Sequence, residues 1–257
     1  MTSEYILEVQ ALTKQFKGFA AVSNVDLKVR RGEIHALIGP NGTGKTTFFN
    51  VLTKFLKPTR GAIWYDGVDI TNEQPAQTAR RGMVRSFQIS AVFPHMTALE
   101  NVRAALQRNL GTSFHFWRSE KSLFRLHDRA MQLLSDVDLQ DFSREIVVNL
   151  PYGRKRALEL ATTMALDPEM MLLDEPTQGM GHEDIERVTR LIRKLSEGRT
   201  ILMVEHNMDV VSRLSDRITV LQRGRVIAEG PYAEIAINPL VVEAYMGSTA
   251  ADLQGSH

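Results

Sequence analysis

Two rhythms of apolar and polar residues alternate along the chain. Ile6 to Val9 and Val25 to Val29 cluster or alternate apolar residues as strands do. Ile34 to Ile38 is a continuous apolar run that predicts a buried strand, and Thr46 to Phe55 follows with apolar residues at helical spacing. Ala62 to Tyr65, then Asp66-Gly67, then Val68 to Ile70 predicts a hairpin closed by a tight Asp-Gly turn. The first part of the chain is therefore expected to be a mostly antiparallel β layer leaning on an α/β core. From about Pro94 to Asn149 the helical rhythm takes over, at Leu99 to Leu106 and Leu123 to Val137. This region reads as an inserted helical subdomain. The aromatic residues Phe114, Phe116 and Trp117 at its edge are read as local packing, with a docking patch as the alternative.

After the insert, the wholly apolar runs Met170 to Leu173, Thr200 to Val204 and Ile218 to Leu221 read as strands. Between the first two lies one apolar stripe, Ile185, Val188, Leu191, Ile192 and Leu195, with Gly198 just past its end. Strands buried on both faces and separated by helices predict a parallel sheet. Gln222 to Arg225 turns into Val226 to Ala228 as a hairpin, and the small, polar tail after Gly247 reads as frayed.

Composition narrows the function classes. A chain of 257 residues can bury the core of one large α/β domain, or of one domain carrying a smaller lobe. A formal net charge of +1 gives no whole-molecule field for nucleic acid or anionic lipid. The absence of cysteine excludes a disulfide framework and thiolate metal sites, in keeping with a reducing compartment. The start, Met-Thr-Ser-Glu-Tyr, lacks the basic and apolar segments of a signal peptide, and no apolar run approaches the roughly 20 residues that span a bilayer. The expectation is a soluble protein whose membrane role, if any, runs through a partner.

The chemistry concentrates at Gly39-Pro40-Asn41-Gly42-Thr43-Gly44-Lys45-Thr46-Thr47, a P-loop pattern between a predicted strand and a predicted helix. Its glycines let several backbone N–H groups converge on one centre, and the helix N-terminus adds unpaired donors, so a polyphosphate fits. Lys45 supplies a point charge for the β- and γ-phosphates, and the Thr46 hydroxyl is placed to ligate Mg²⁺. The strand Met170 to Leu173 ends in Asp174-Glu175. In P-loop NTPases a carboxylate at that place orients the metal, so Asp174 is expected near Mg²⁺, with Glu175 set to polarise the water that attacks the γ-phosphate.

Five elements in order, Gly39 to Thr47, Gln88 in Arg85-Ser-Phe-Gln88, Leu150-Pro-Tyr-Gly-Arg154, Leu172-Leu-Asp-Glu-Pro176 and Glu205-His206, resemble the nucleotide-binding subunits of ABC transporters. The resemblance runs from about Ile6 to Gly247. It implies the fold class α/β: a P-loop NTPase core of the ABC ATPase type with an antiparallel β layer and an inserted α-helical subdomain. The expected division is 1–93 for the first part of the ATP-binding core, 94–152 for the helical subdomain, 153–247 for the second part of the core and 248–257 for a flexible tail.

The resemblance further implies ATP and Mg²⁺ as ligands, with Phe16 stacking on adenine, Gln88 reaching Mg²⁺ or the attacking water, and His206 acting as the switch histidine on the γ-phosphate. Leu150, Tyr152 and Gly153 are implied to meet the nucleotide of an opposite subunit in a head-to-tail dimer, formed with a second copy or a homologous ATPase subunit. Two departures stand out. Pro151 replaces the serine of the Leu-Ser-Gly-Gly-Gln signature and has no N–H, and Gly181 replaces the aspartate that follows Glu-Pro-Thr in many members. Arg154 either adds charge there or faces solvent.

Leu-Pro-Tyr-Gly, the Gly-Met after Glu-Pro-Thr-Gln, the aromatic insert and the ending Val242-Glu-Ala-Tyr-Met-Gly247 resemble the ATPases of branched-chain or hydrophobic amino acid uptake systems. That implies membrane permease subunits as partners, a periplasmic solute-binding protein acting indirectly, no nucleic acid, and a place on the cytoplasmic face of the inner membrane. The permease is expected near Gln88 to Met96, with Ala91-Val-Phe93 supplying apolar contacts. The alternatives are an exporter ATPase for lipid or polysaccharide and a soluble, non-transport ABC ATPase; a small-molecule P-loop kinase would not need the later motifs.

Overall fold

The computed structural model describes the backbone of residues 3–86, 92–109 and 120–254, and side chains for 3–86, 92–107 and 126–246. Gln88, Ala91, Phe114, Phe116 and Trp117 lie outside the described residues. The chain forms two compact units, 1–83 with 169–176 and 195–257 in the first, 84–168 with 177–194 in the second.

The first unit holds two sheets. β1 (Tyr5–Phe16) and β2 (Phe19–Arg30) form a long hairpin whose Lys17-Gly18 turn has both residues at positive φ, the hand that matches strand twist. β3 (Ile34–Ile38) belongs to the second sheet and runs into α1 (Lys45–Leu52). β4 (Arg60–Tyr65) then pairs with the other side of β1, and the Asp66-Gly67 turn, again at positive φ, delivers the short β5 (Val68–Asp69). The result is a four-stranded antiparallel sheet of order β2-β1-β4-β5. One of its faces buries Leu7, Val9 and Leu12 with Val25, Leu27 and Val29. Phe48, Phe49, Val51 and Leu52 of α1 share that core.

Behind α1 lies the predicted parallel sheet. α2 (Pro75–Arg80), opened by a capping box between Gln74 and Gln77, leads to β6 (Met83–Ser86), along which the chain leaves the unit. Neither element was anticipated, because each is short and its apolar residues show no clear period. β7 (Met170–Asp174), β8 (Thr200–Val204) and β9 (Arg217–Gln222) run parallel to β3, and β10 (Arg225–Gly230) turns back against β9. The order is β10-β9-β3-β8-β7-β6. Every residue of β3, β7 and β8 is buried, which explains their unbroken apolar runs. The carboxyl ends of β3, β8 and β7 are neighbours on one edge, the edge where open α/β sheets place their ligands.

The second unit is helical. α3 (Ala98–Asn109) opens with a reciprocal cap: Glu100 N–H donates to Thr97 Oγ1 (3.2 Å) and Thr97 N–H donates to Glu100 Oε2 (2.7 Å). These hydrogen bonds hold the Glu100 carboxyl below its usual range. α4 (Glu120–Asp136) and α5 (Tyr152–Met164) pack on α3. α6 (His182–Leu195) belongs to this unit, with Lys194 Nζ donating to the Asp136 carbonyl (3.0 Å). The compact units part at 83/84, 168/169, 176/177 and 194/195. α5 begins at Tyr152, because Pro151 stands at the N-cap with its φ already set.

The first unit closes with α7 (Met208–Leu214), α8 (Tyr232–Ala236) and α9 (Pro239–Gln254). α9 continues past Gly247, where the sequence reading ends the ordered chain. Among the described residues, no helix is long and apolar enough to cross a membrane.

Candidate active site

The loop after β3 is shaped by backbone that only glycine allows. Gly39 has φ 147°, and a Cβ there would run into the Leu221 carbonyl oxygen. Gly44 has φ 102°, and a Cβ would strike the Ala21 carbonyl. Between them Thr43 Oγ1 donates to the Pro40 carbonyl (2.9 Å), and the Thr43 carbonyl accepts from Gly224 N–H (2.9 Å), which ties the loop to the β9–β10 turn. Gly44 stands at the N-cap of α1 and has no side chain to satisfy the first-turn amides. Asn41 and Thr46 are exposed, and Thr47 is half-buried.

Lys45 is only 6% exposed. Its ammonium donates to the carbonyls of Gly39 (2.6 Å) and Pro40 (2.9 Å) and makes no ion pair among the described residues. Burial lowers its pKa, opposed by the charges of Glu175 and Asp174. Those carboxylates stand at the end of β7, with Asp174 buried in register with Val204 of β8. Glu175 N–H donates to the Val204 carbonyl (2.9 Å) and its backbone is left-handed, φ 46°. A non-glycine residue held so at a strand end is a local strain of the kind that collects at functional sites.

His206 follows β8, with a side chain 51% exposed. The residue before it does what sequence reading alone did not assign. Glu205 is fully buried, and its Oε2 accepts from the N–H groups of His206 (2.8 Å) and Asn207 (3.0 Å), which fixes the turn that presents the imidazole. Phe16 lies at the tip of the β1–β2 hairpin, 43% exposed, with Lys14 Nζ 5.1 Å from its ring centroid. It is not a core phenylalanine.

The first unit therefore brings Gly39 to Thr47, Asp174, Glu175 and His206 to the ends of three adjacent strands. Their donors suit a polyphosphate: bare loop amides, an uncapped helix start and a buried cation resting only on carbonyls. A magnesium ion also suits them. Among the described residues no cluster of three or more acidic or imidazole groups forms a protein cage, and Mg²⁺ prefers one or two protein oxygens with phosphate and water.

Leu150, Tyr152 and Gly153 form a feature of the second unit. Leu150 is buried, the Tyr152 hydroxyl donates to the Gln178 carbonyl (3.2 Å), and the Cα of Gly153 packs on the Asp184 carboxylate, which would have to shift to admit a Cβ. The guanidinium of Arg154 stacks on Phe142, 3.6 Å from the ring centroid, so it is neither a free charge nor merely solvated.

Comparison with known proteins agrees with this arrangement. The family described as ABC transporter matches residues 22–178, and the family described as branched-chain amino acid ATP-binding cassette transporter matches residues 225–251. The high-affinity branched-chain amino acid transport ATP-binding protein BraF of Pseudomonas aeruginosa is 40% identical over 95% of this chain and 99% of its own length. LivG of Escherichia coli, a protein of the same description, is 38% identical over the same shares. The crystal structure of the ADP conformation of MJ1267, an ATP-binding cassette of an ABC transporter, superposes with a TM-score of 0.82 at 27% identity, covering 95% of this chain and 100% of that one. The dimeric structure of MJ0796, a bacterial ABC transporter cassette, gives 0.74 at 27% identity over 88% and 98%. With a P-loop, a strand-end carboxylate pair and a histidine turn in the required order on this fold, the chain belongs to the ABC transporter family as an ATP-hydrolysing cassette of the branched-chain amino acid type.

Proposed function

We propose that the chain is the ATPase subunit of an importer for branched-chain or closely related hydrophobic amino acids, working on the cytoplasmic face of the membrane through permease subunits. One observation carries this reading: the segment 225–251 matches the branched-chain family, in a chain that aligns with BraF over nearly its whole length. In this reading the amides of Gly39 to Thr47 hold the triphosphate, and Lys45 leaves its two carbonyls for the β- and γ-phosphates. Thr46 and Asp174, with Gln88, are the residues that would hold Mg²⁺, whose charge would offset that of the phosphates. Glu175 accepts a proton from the attacking water, His206 hydrogen-bonds the γ-phosphate, and Phe16 stacks on adenine. The start of α5 in a second subunit, Tyr152 and Gly153 with Leu150 just before it, covers the other side of the nucleotide. With Pro151 lacking an N–H, that contact falls to the amides of the first turn of α5.

The test is reconstitution. The cassette co-expressed with its permease subunits and solute-binding protein is expected to move leucine, isoleucine or valine into proteoliposomes in proportion to ATP hydrolysed inside. Hydrolysis that responds to no amino acid, or co-purification with ribosomes or nucleic acid instead of membrane subunits, overturns the importer reading.

A further inference from the structure

β8 is apolar and buried to its end, and the first residue after it, Glu205, is a fully buried acid. Burying a carboxylate is costly unless hydrogen bonds replace its water. Here they come from the two residues that follow: Oε2 accepts from the N–H groups of His206 (2.8 Å) and Asn207 (3.0 Å). The segment has little slack. Before it, the Val204 carbonyl accepts from Glu175 N–H (2.9 Å). After it, Asn207 Oδ1 accepts from the N–H groups of Asp209 (3.1 Å) and Val210 (3.4 Å) and starts α7. His206 is thus carried on a short turn pinned at both ends, with the Glu205 carboxylate folded onto its amides. The same Oε2 stands 3.9 Å from His206 Nδ1, too far for a hydrogen bond, so the ring is placed through its backbone and stays half exposed.

We propose that Glu205 is a positioning residue for ATP hydrolysis: its carboxylate locks the turn that aims His206, and it acts through that imidazole. This rests on reading His206 as the group that bonds the γ-phosphate. A glycine or an asparagine could make a turn here without burying a charge, so a carboxylate answers a demand for one fixed shape. An anionic acceptor also holds two amides more firmly than a neutral one. With the turn locked before the nucleotide arrives, the imidazole need not be ordered at the moment of reaction, and that cost leaves the barrier. In the same reading the nucleotide is bound by Gly39 to Thr47, so the effect of Glu205 falls on the rate of the step and little on binding.

The experiment compares the full chain with Glu205→Leu, Glu205→Gln, His206→Ala and the double variant Glu205→Leu/His206→Ala. Three quantities are read: kcat and KM for Mg²⁺-dependent hydrolysis, ATP affinity without turnover, and the thermal midpoint. Glu205→Leu is expected to lower kcat about 10- to 100-fold, the range of a misplaced catalytic group, with KM and affinity within about threefold. Glu205→Gln, whose amide oxygen can still accept from both N–H groups, should recover most of that rate. The double variant should be no slower than His206→Ala alone, since Glu205 acts through the ring. Native kcat in a folded Glu205→Leu protein, or a double variant in which the two losses multiply, overturns the role of Glu205 alone. Full kcat in His206→Ala overturns the reading of His206 itself. If Glu205→Leu does not fold, Glu205→Gln is read for hydrogen exchange at the amides of 206 and 207. Quickened exchange there with native kcat overturns the proposal, and a kcat that falls in step with the quickening supports it.

Discussion

Lys54 shows how much a single residue can cost. It follows α1 with a left-handed backbone (φ 65°), is 8% exposed, and its ammonium has no hydrogen-bond partner among the described residues. Burial pushes it down to about 8, against the pull of Glu73 and Asp69. The unfolded chain holds this proton until about pH 10.4. Below about pH 8 the folded state therefore carries the full cost of a buried charge, and the cost fades as pH rises toward the unfolded value. Lys54→Met is expected to raise the unfolding free energy by roughly 1–3 kcal/mol at pH 7 and to flatten the gain in stability that the native chain shows between pH 8 and 10. Denaturant titrations at pH 7 and 9.5 check both; equal stability of the two proteins at pH 7 rules the account out. Gly44→Ala works in the opposite direction. Its φ of 102° and the Ala21 carbonyl leave no place for a methyl, and Ala21 cannot retreat because Ser23 N–H is bonded to the Gly224 carbonyl (2.8 Å). A loss of ATP affinity of tenfold or more is expected by equilibrium binding, since the loop must deform to admit the side chain. The glycine was legible in the motif. The handedness of Lys54 was not, because nothing in Lys-Phe-Leu announces a left-handed turn.

At the scale of the element, α5 carries its own polar pair inside the second unit. Arg156 Nη1 donates to Glu159 Oε2 (2.5 Å), and both side chains are buried. Burial pushes Glu159 up to about 7 despite the neighbouring guanidinium. Removing that cation leaves a buried carboxylate that the fold tolerates only when protonated. Arg156→Met is expected to cost about 3–5 kcal/mol at pH 8. The cost should shrink as pH falls toward 5, where the folded protein takes up a proton that the unfolded chain does not need. Thermal melts at pH 5.5 and 8 test this, and adding Glu159→Leu should recover most of the loss. A deficit independent of pH would point to packing in place of charge.

The elements themselves were legible where the constraint was local. The runs Ile34 to Ile38, Met170 to Leu173 and Thr200 to Val204 are unbroken because both faces of those strands are covered, and Asp66-Gly67 could only be a turn. β6 and α2 escaped notice because four to six residues are too few to show a period. The anchoring of His206 by Glu205 could not be seen at all. It is a buried carboxylate folded onto its own next amides.

For the whole molecule, the division of labour between the two units sets the last expectation. The first unit offers a cradle, a lysine and two carboxylates at the ends of β3 and β7, which in the proposed reading would grip the triphosphate from one side. The second unit carries the start of α5, whose first-turn amides point outward from the helix end, with Arg154 stacked on Phe142 and Lys155 bonded to the Val148 carbonyl (3.0 Å). In the proposed head-to-tail pair each cradle would meet the α5 tip of the other copy, and the γ-phosphate would be the group that both halves hold. Hydrolysis removes that shared group, so the native pair should be brief. Glu175→Gln keeps the shape and the left-handed backbone but cannot accept the proton from water. It is expected to bind Mg²⁺-ATP and elute as a dimer in size-exclusion chromatography at saturating nucleotide, to remain a monomer with ADP, and to lose the dimer when Lys45→Ala is added. A variant that binds ATP fully yet stays monomeric would break the two-sided grip, because nothing but the intact γ-phosphate is asked to hold the halves together.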